Sequence, residues 1–343
     1  MRTLTGNRLK RAQSSRQFRN GRFWNTSGAR PRIDTNSFAL MKDFFFGGRN
    51  RRPRKRLPVE NPLTTWKTHP SSGLRVTWLG HSTLLLECDG VRVLTDPVFG
   101  NYASPGFFAG RKRFHPVPAT ISQLPPLDIV LLSHDHYDHL CSSTIRKLAK
   151  LRVPFVTSLG VGERLEKLGV DPSLITELDW WEEHRLPNGT LSFTATPAQH
   201  FSGRGLRDRN VTLWSSWVIT TANTRIFFSA DTGLTDELTT IGERLGPFDL
   251  SMIEIGASNP AWADIHLGPV NAMRAFEMLG GGTLLPIHWG TFDLALHRWD
   301  EPAETLVTLA EKSGARVLTP RLGRPIEPQL VEDTPRWWRG LEG

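Results

Sequence analysis

The run His134-Asp135-His136-Tyr137-Asp138-His139 sets four side chains able to bind a divalent metal, His134, His136, Asp138 and His139, within six positions of a 343-residue chain. It follows directly on the apolar stretch 128–133, so the cluster stands where a strand ends and a loop begins. Alternate residues of an extended segment point the same way, which lets His134 and His136 grip one ion while Asp138 and His139 turn toward a second. The chemically idle reading is a solvated loop or a set of helix-capping histidines. Three imidazoles crowded together without a metal would repel on protonation and offer little packing, so a metal site is the economical explanation.

Three further candidates follow strand-like runs in the same manner. His200 comes after 191–198, Asp231 closes 224–230, and His288 ends 283–287. Gly233, two residues beyond Asp231, is expected to permit the sharp turn that aims the carboxylate inward. Alone, a histidine after a strand is commonly a surface or hydrogen-bonding residue. Together with the cluster these three complete a set of seven donors, enough for two ions sharing a carboxylate. His81 also sits at a strand boundary, where it either supports a ligand or only bonds the backbone.

The elements that must position these residues begin near Gly73, with short β-rich runs at 74–80, 82–88, 91–97 and 128–134. Helical character follows at 142–151, a strand at 154–157, a helix at 162–168 and a strand at 176–178. Strands recur at 191–198, 212–220, 224–231 and 250–256, then helix at 270–279, strand at 283–287, helix at 303–313 and strand at 315–318. Two blocks of strands, each followed by strand-helix-strand, predict an α/β (α+β) fold. Two sheets pack face to face with helices outside, a four-layer αββα sandwich.

The ordered motifs resemble the metallo-β-lactamase superfamily, and within it the N-acylphosphatidylethanolamine-hydrolysing phospholipase D family. Beside 134–139, the resemblance is carried by AQH (198–200), ADTG (230–233), IHWGTF (287–292), WLGHST (78–83), LTDP (94–97), KRF (112–114), ELDWWEE (177–183) and GPFDL (246–250), and covers roughly residues 73 to 300. It implies His134, His136 and His200 on one zinc, Asp138, His139 and His288 on the other, and Asp231 between them. It further implies that Asp96 orients a ligating histidine, and that His266, in a His-x-x-Pro element, assists the leaving group or binds phosphate. Asp96 could instead merely begin the Asp-Pro turn, and His266 could be a helix N-terminal residue without chemistry. Two ions about 3.5–4 Å apart can share a hydroxide and stabilise the oxygens of an attacked phosphoryl group. Phe107-Phe108 occupies a family entrance loop, where an apolar rim suits an acyl chain or ordinary packing.

Hydrophobic residues at 38% and charged residues at 22% fall in the globular range, with no apolar run long enough to span a bilayer. The pI near 9.9 belongs to one end of the chain: residues 1–60 carry a net +13 and the remainder −5. This extension is expected to be disordered, either a solvated arm or a surface for anionic partners such as phospholipid headgroups. Phe38 to Met41 and Phe44 to Phe46 would there form a membrane-surface patch or pack on the body. The catalytic domain is expected over 61–330, with a C-terminal tail over 331–343. Without an apolar signal segment export is not expected, and Cys88 and Cys141 read as packing thiols of a reducing compartment. The expected location is the cytoplasm, with peripheral attachment to the inner face of the membrane.

The leading function is a zinc-dependent phosphodiesterase of phospholipase D type acting on N-acylphosphatidylethanolamine-like phospholipids, with Mn2+ or Fe2+ as alternatives to two Zn2+. The same ligand set would serve a lactone, β-lactam, cyclic nucleotide or RNA, since fold does not decide substrate. A non-catalytic lipid- or nucleic-acid-binding protein is the third reading. Seven donors argue against it, because a structural zinc is closed by four. Trp180-Trp181 and Trp214-x-x-Trp217 read as core aromatics, nucleic acid is not an expected partner, and a homodimer is left open.

Overall fold

The computed structural model describes residues 4–28, 50–104, 111–187, 189–205, 207–259, 262 and 264–341. The chain opens with helix α1 (Gly6–Ser14) and a short hairpin, β1 (Phe18–Arg19) and β2 (Arg22–Phe23). Strands β3 (Leu74–Gly80), β4 (Thr83–Cys88) and β5 (Val91–Thr95) follow, then a hairpin of β6 (Tyr102–Ala103) and β7 (Arg111–Lys112), and strand β8 (Ile129–Leu132). Helix α2 (Ser142–Lys150), β9 (Phe155–Ser158), α3 (Gly162–Lys167) and β10 (Ile175–Leu178) complete the first half. The second half runs β11 (Glu183–Arg185), β12 (Leu191–Thr196), β13 (Ser216–Thr221), β14 (Arg225–Phe228), α4 (Glu237–Leu245), β15 (Leu250–Glu254), α5 (Gly268–Met278), β16 (Thr283–Ile287), α6 (Glu301–Ser313), β17 (Arg316–Val317) and β18 (Pro325–Ile326).

Two seven-stranded sheets result, in the orders β10-β9-β8-β5-β4-β3-β18 and β11-β12-β13-β14-β15-β16-β17. Each is antiparallel on one side and parallel on the other, the change falling between β4–β5 and β5–β8 in the first and between β13–β14 and β14–β15 in the second. The strands are apolar at successive positions because both of their faces are covered. In β4, Leu84 and Leu86 join the core that continues into Phe193 and Phe227 of the other sheet, while Leu85 joins Ile145 and Leu148 of α2. In β8, Ile129 and Leu131 face the first of these clusters and Val130 and Leu132 the second. Each such leucine or isoleucine contributes roughly 1.5–3 kcal/mol by burial. The four-layer α/β sandwich is the architecture found.

Both chain ends differ from expectation. Residues 4–28 are not a disordered arm: Leu4, Ala12 and Phe23 are buried against Leu159, Ala198, Val211, Leu213 and Trp214. Part of the charge of residues 1–60 is engaged with acidic groups of the body. Arg8 pairs with Glu166 and Glu177, Arg11 with Glu182, and Arg51 and Arg52 with Asp293. Several of the cations read as a surface for anions thus belong to an intramolecular ion-pair system. The apolar patches 38–41 and 44–46, and Phe107-Phe108, lie outside the described residues. At the other end 331–343 is no mere tail, since Trp337 and Trp338 are buried and Trp337 stacks on Trp289 with ring centroids 5.4 Å apart. Trp180, Trp214 and Trp217 are buried core aromatics, and Cys88 and Cys141 are buried free thiols.

Candidate metal centre

Residues at the ends of seven strands meet along one edge of the sandwich. The first sheet brings His81 after β3, Asp96 after β5 and the run 134–139 after β8. The second brings His200 after β12, Asp231 after β14, Glu254 as the last residue of β15 and His288 after β16. The chain leaves these strands by sharp turns. His81, Asp96, Ala230 and His288 all have left-handed backbone, with φ of 55°, 31°, 48° and 62°. Non-glycine residues adopt this region at a cost of order 1–2 kcal/mol, and such strain is concentrated where geometry serves function. The turn before Asp231 is therefore made at Ala230, not at Gly233. Gly233 is required for a different reason: a Cβ there would lie 2.0 Å from the carbonyl oxygen of Asp264. Gly256 is confined likewise, a Cβ coming 2.0 Å from the carbonyl oxygen of His288.

The donors fall into two groups. His134 Nε2, His136 Nδ1 and His200 Nε2 converge, with 2.8 Å between the first two and 3.2 Å between the last two. Opposite them, Asp138 Oδ2 lies 3.7 Å from His139 Nε2 and 3.4 Å from His288 Nε2. Asp231 stands between the groups and presents one oxygen to each. Its Oδ2 is 3.8 Å from His134 Nε2 and 3.6 Å from His200 Nε2, while its Oδ1 is 3.0 Å from His139 Nε2 and 3.1 Å from His288 Nε2. The donor sets His134, His136, His200, Asp231 and His81, Asp138, His139, His288 each gather within reach of one ion. His139 Nε2, His288 Nε2 and Asp231 Oδ1 are buried and, among the described residues, not in hydrogen-bonding alignment with any partner. Buried polar atoms left so are costly unless a further group satisfies them, and a divalent cation fits this donor set.

The outward-facing atoms are tied down. His139 Nδ1 bonds Asp96 Oδ2 at 2.7 Å, and Asp96 also accepts from the Ser133 N–H at 2.8 Å and Ser133 Oγ at 2.6 Å. His134 Nδ1 meets Ser133 Oγ at 2.8 Å, and His200 Nδ1 donates to the Ile265 carbonyl at 3.0 Å. A ring held by one nitrogen presents the other inward, which fixes both tautomer and direction. His81 Nε2 bonds Asp138 Oδ2 at 3.0 Å, and the His81 N–H donates to Thr291 Oγ1. His266 Nδ1 lies 2.7 Å from Glu254 Oε2, its ring 5.2 Å from those of both His200 and His288.

Charge is divided sharply among these groups. Burial would lift the carboxyls of Asp138 and Asp231, yet the neighbouring His139 and His288 hold both well below the usual range. Against the opposing effect of burial, Asp231 and Asp138 raise His139 well above an ordinary imidazole and His288 to about 10. Burial instead depresses His134 and His200 well below the usual value and His81 to about 3. Burial also works against His266, but the Glu254 carboxylate raises it on balance.

Three supports were not foreseen. Glu254, at the end of the mostly apolar strand β15, accepts from the Thr232 N–H at 2.8 Å and orients His266. A lone acid in such a run, at the end where the histidines gather, was the available signal. Asn25 donates from Nδ2 to the His200 carbonyl at 3.0 Å, and its Oδ1 accepts from the His200 N–H and Trp214 Nε1 at 3.1 Å each. Asp135 points away from the donors: its carboxylate accepts from the Gly203 N–H at 2.7 Å and Arg164 Nε at 3.2 Å, while Arg204 Nη1 donates to the carbonyls of Asp135 and Leu140. These bonds brace the loop 134–140 from outside.

A model of the beta-lactamase superfamily domain matches residues 91–289. An uncharacterized protein of Mycobacterium tuberculosis is 44% identical over 292 residues, 84% of this chain and 77% of that one. The N-acyl-phosphatidylethanolamine-hydrolyzing phospholipase D 1 of Caenorhabditis elegans is 39% identical over 266 residues, 74% of each chain. Among solved structures, the isothiocyanate hydrolase from Delia radicum gut bacteria shares the fold at TM-score 0.59 and 21% identity, over 74% of this chain and 98% of that one. The chain is a hydrolase that belongs to the metallo-β-lactamase superfamily, in the branch that includes the N-acyl-phosphatidylethanolamine-hydrolysing phospholipases D.

Proposed function

We propose that the protein is a zinc-dependent phosphodiesterase of phospholipase D type, hydrolysing N-acylphosphatidylethanolamine-like phospholipids at the bond distal to glycerol. The observation that carries this reading is Asp231, whose two oxygens face two separate groups of imidazoles. His134, His136 and His200 would hold one zinc and Asp138, His139 and His288 the other. Such a pair, when bound, supplies Lewis acidity to a phosphoryl group and activates water near neutral pH. The chain's own residues do the rest. His81 fixes the direction of Asp138, and Asp96 that of His139. The Glu254 carboxylate engages His266 through Nδ1 and, against burial, favours its protonated form, leaving Nε2 to hand a proton to the departing oxygen. The substrate class is drawn from the Caenorhabditis elegans relative, since neither fold nor donor set selects it. The enzyme would act from the bilayer surface. Among the described residues no helix is long and apolar enough to cross a membrane.

Metal analysis of the purified protein, paired with hydrolysis assays across phospholipid headgroups, lactones and cyclic nucleotides, tests this. Release of phosphatidate is expected from N-acylated phosphatidylethanolamine, with turnover abolished and fold preserved in His136→Ala. Turnover by protein shown to be free of metal would defeat the reading.

A further inference from the structure

Beside the metal loop lies a concentration of positive charge that the chemistry above does not use. A cavity of about 640 Å³ is bounded by Tyr137, Ser142 at the start of α2, residues of α3 and the segment after His200. Its wall carries Arg164, Lys167, Arg204 and Arg207, against one acid, Asp208, among the described residues that line it. Residues 61–343 are net −5, so this clustering is not a reflection of a generally basic body.

The four cations are not equivalent. Arg164 is neutralised, with Asp208 at 2.9 Å and Asp135 at 3.2 Å. Lys167 is half exposed and pairs with Glu163 one turn away, a contact worth little at such a surface. Arg204 is half-buried, and among the described residues the hydrogen bonds of its guanidinium go to neutral groups, while its backbone N–H donates to Asp208 Oδ1 at 3.1 Å. Nη1 donates to the carbonyls of Asp135 at 2.6 Å and Leu140 at 2.8 Å, Nη2 to Ser142 Oγ at 3.1 Å, and its carbon lies 3.9 Å from the centre of the Tyr137 ring. Among the described residues the guanidinium thus meets no carboxylate at bonding distance; the Asp135 carboxylate acts on it from further off and is itself bonded to the Gly203 N–H and Arg164. A guanidinium that has lost much of its water and has no carboxylate bonded to it favours an anion, and phosphate matches its geometry. Arg207, exposed at the rim, adds a second cation. A neighbouring cavity of about 510 Å³ shares Tyr137 and Ser142 and contributes Arg146 and Lys147 with no acid among its described lining residues.

We propose that the cavity bounded by Arg204, Arg207 and Lys167 is an anion site, separate from the metal centre, that takes a phosphate group, free or borne by a lipid. Because Arg204 grips the carbonyls on both sides of residues 136–139, an anion drawn to it bears on the loop that carries three of the metal donors. The binding claim does not depend on the substrate proposed above.

The test uses the full-length, metal-loaded protein and the variant Lys167→Gln/Arg207→Gln, whose positions lie on the surface and touch none of the metal donors. Inorganic phosphate is titrated calorimetrically, and vesicles of phosphatidylcholine with and without phosphatidate are sedimented with each protein. The expected result is a phosphate equivalent beyond any taken by the metals, weakened about tenfold or more in the variant, as loss of a charge-assisted bond implies. Metal content should be unchanged. Variant-sensitive retention on phosphatidate vesicles identifies a lipid headgroup as the source, and a variant-sensitive response to inorganic phosphate alone identifies the free ion. Wild type and variant that bind phosphate and phosphatidate vesicles equally, or a wild type that binds neither outside the metals, would overturn the proposal.

Discussion

Replacing Asn25 by Ala probes whether the N-terminal segment belongs to the metal centre. The side chain is 2% exposed and closes both backbone groups of His200. Trp214 Nε1 keeps a second acceptor in the Ala198 carbonyl at 2.9 Å, so the loss falls on the N–H and C=O of His200. Each buried backbone group left without a partner costs ~1–3 kcal/mol. The protein can meet this by losing stability or by letting His200 shift and admit water. Because Ile265 still holds the ring at Nδ1, the second course displaces a donor without releasing it. Removing an outer support of this kind lowers metal affinity by about 10–100-fold. Chelator competition, read alongside thermal unfolding of the metal-loaded protein, measures both terms. Asn25→Asp should fare no better than Ala, since a carboxylate accepts from the His200 N–H but repels its carbonyl. An Asn25→Ala protein with wild-type metal affinity and wild-type stability would refute the assignment of these bonds as supports of the site.

Metal uptake at neutral pH should release about two protons per chain, because His139 and His288 are raised well above their ordinary values by Asp138 and Asp231 and must lose their protons to become ligands. The sign follows: apparent affinity rises with pH and falls as the solution is acidified. Calorimetry in buffers of different ionisation enthalpy counts the protons, and a buffer-independent heat would contradict the prediction. At the chain's end, Trp338→Ala should lower stability by about 3–5 kcal/mol in urea unfolding. Its ring is fully buried against Trp289 and Trp337, and its Nε1 donates to Glu304 Oε2 at 2.9 Å. A loss under about 1 kcal/mol would mean that this segment is a dispensable appendage.

What could be read in the sequence followed from chemistry repeated in one pattern. An apolar run ending in histidine or aspartate is legible wherever it occurs, so His134, His200, Asp231 and His288 could be placed at strand ends before any coordinates. Glu254 lies inside such a run rather than after it, so the pattern does not single it out. Asn25 carried no local signal, since its partner is 175 residues away. The basic composition of the first sixty residues suggested an extended arm because charge alone does not reveal partners. Glu166, Glu177, Glu182 and Asp293 are scattered along the body and gather around those arginines only once it has folded. Close approach of a carbonyl demands glycine as a left-handed turn does, so the sequence alone does not tell which of the two acts at Gly233.

The placement of Asp231 has a mechanical side. Its carboxylate comes from the second sheet, while three of the imidazoles nearest its oxygens, His134, His139 and His200, are divided between the two. An ion held at either group would therefore fasten one sheet to the other at their open edge, as a clasp joins two boards. A complete donor set then exists only when the sheets are docked, so whatever free energy the ion contributes on binding that set also holds the two sheets together.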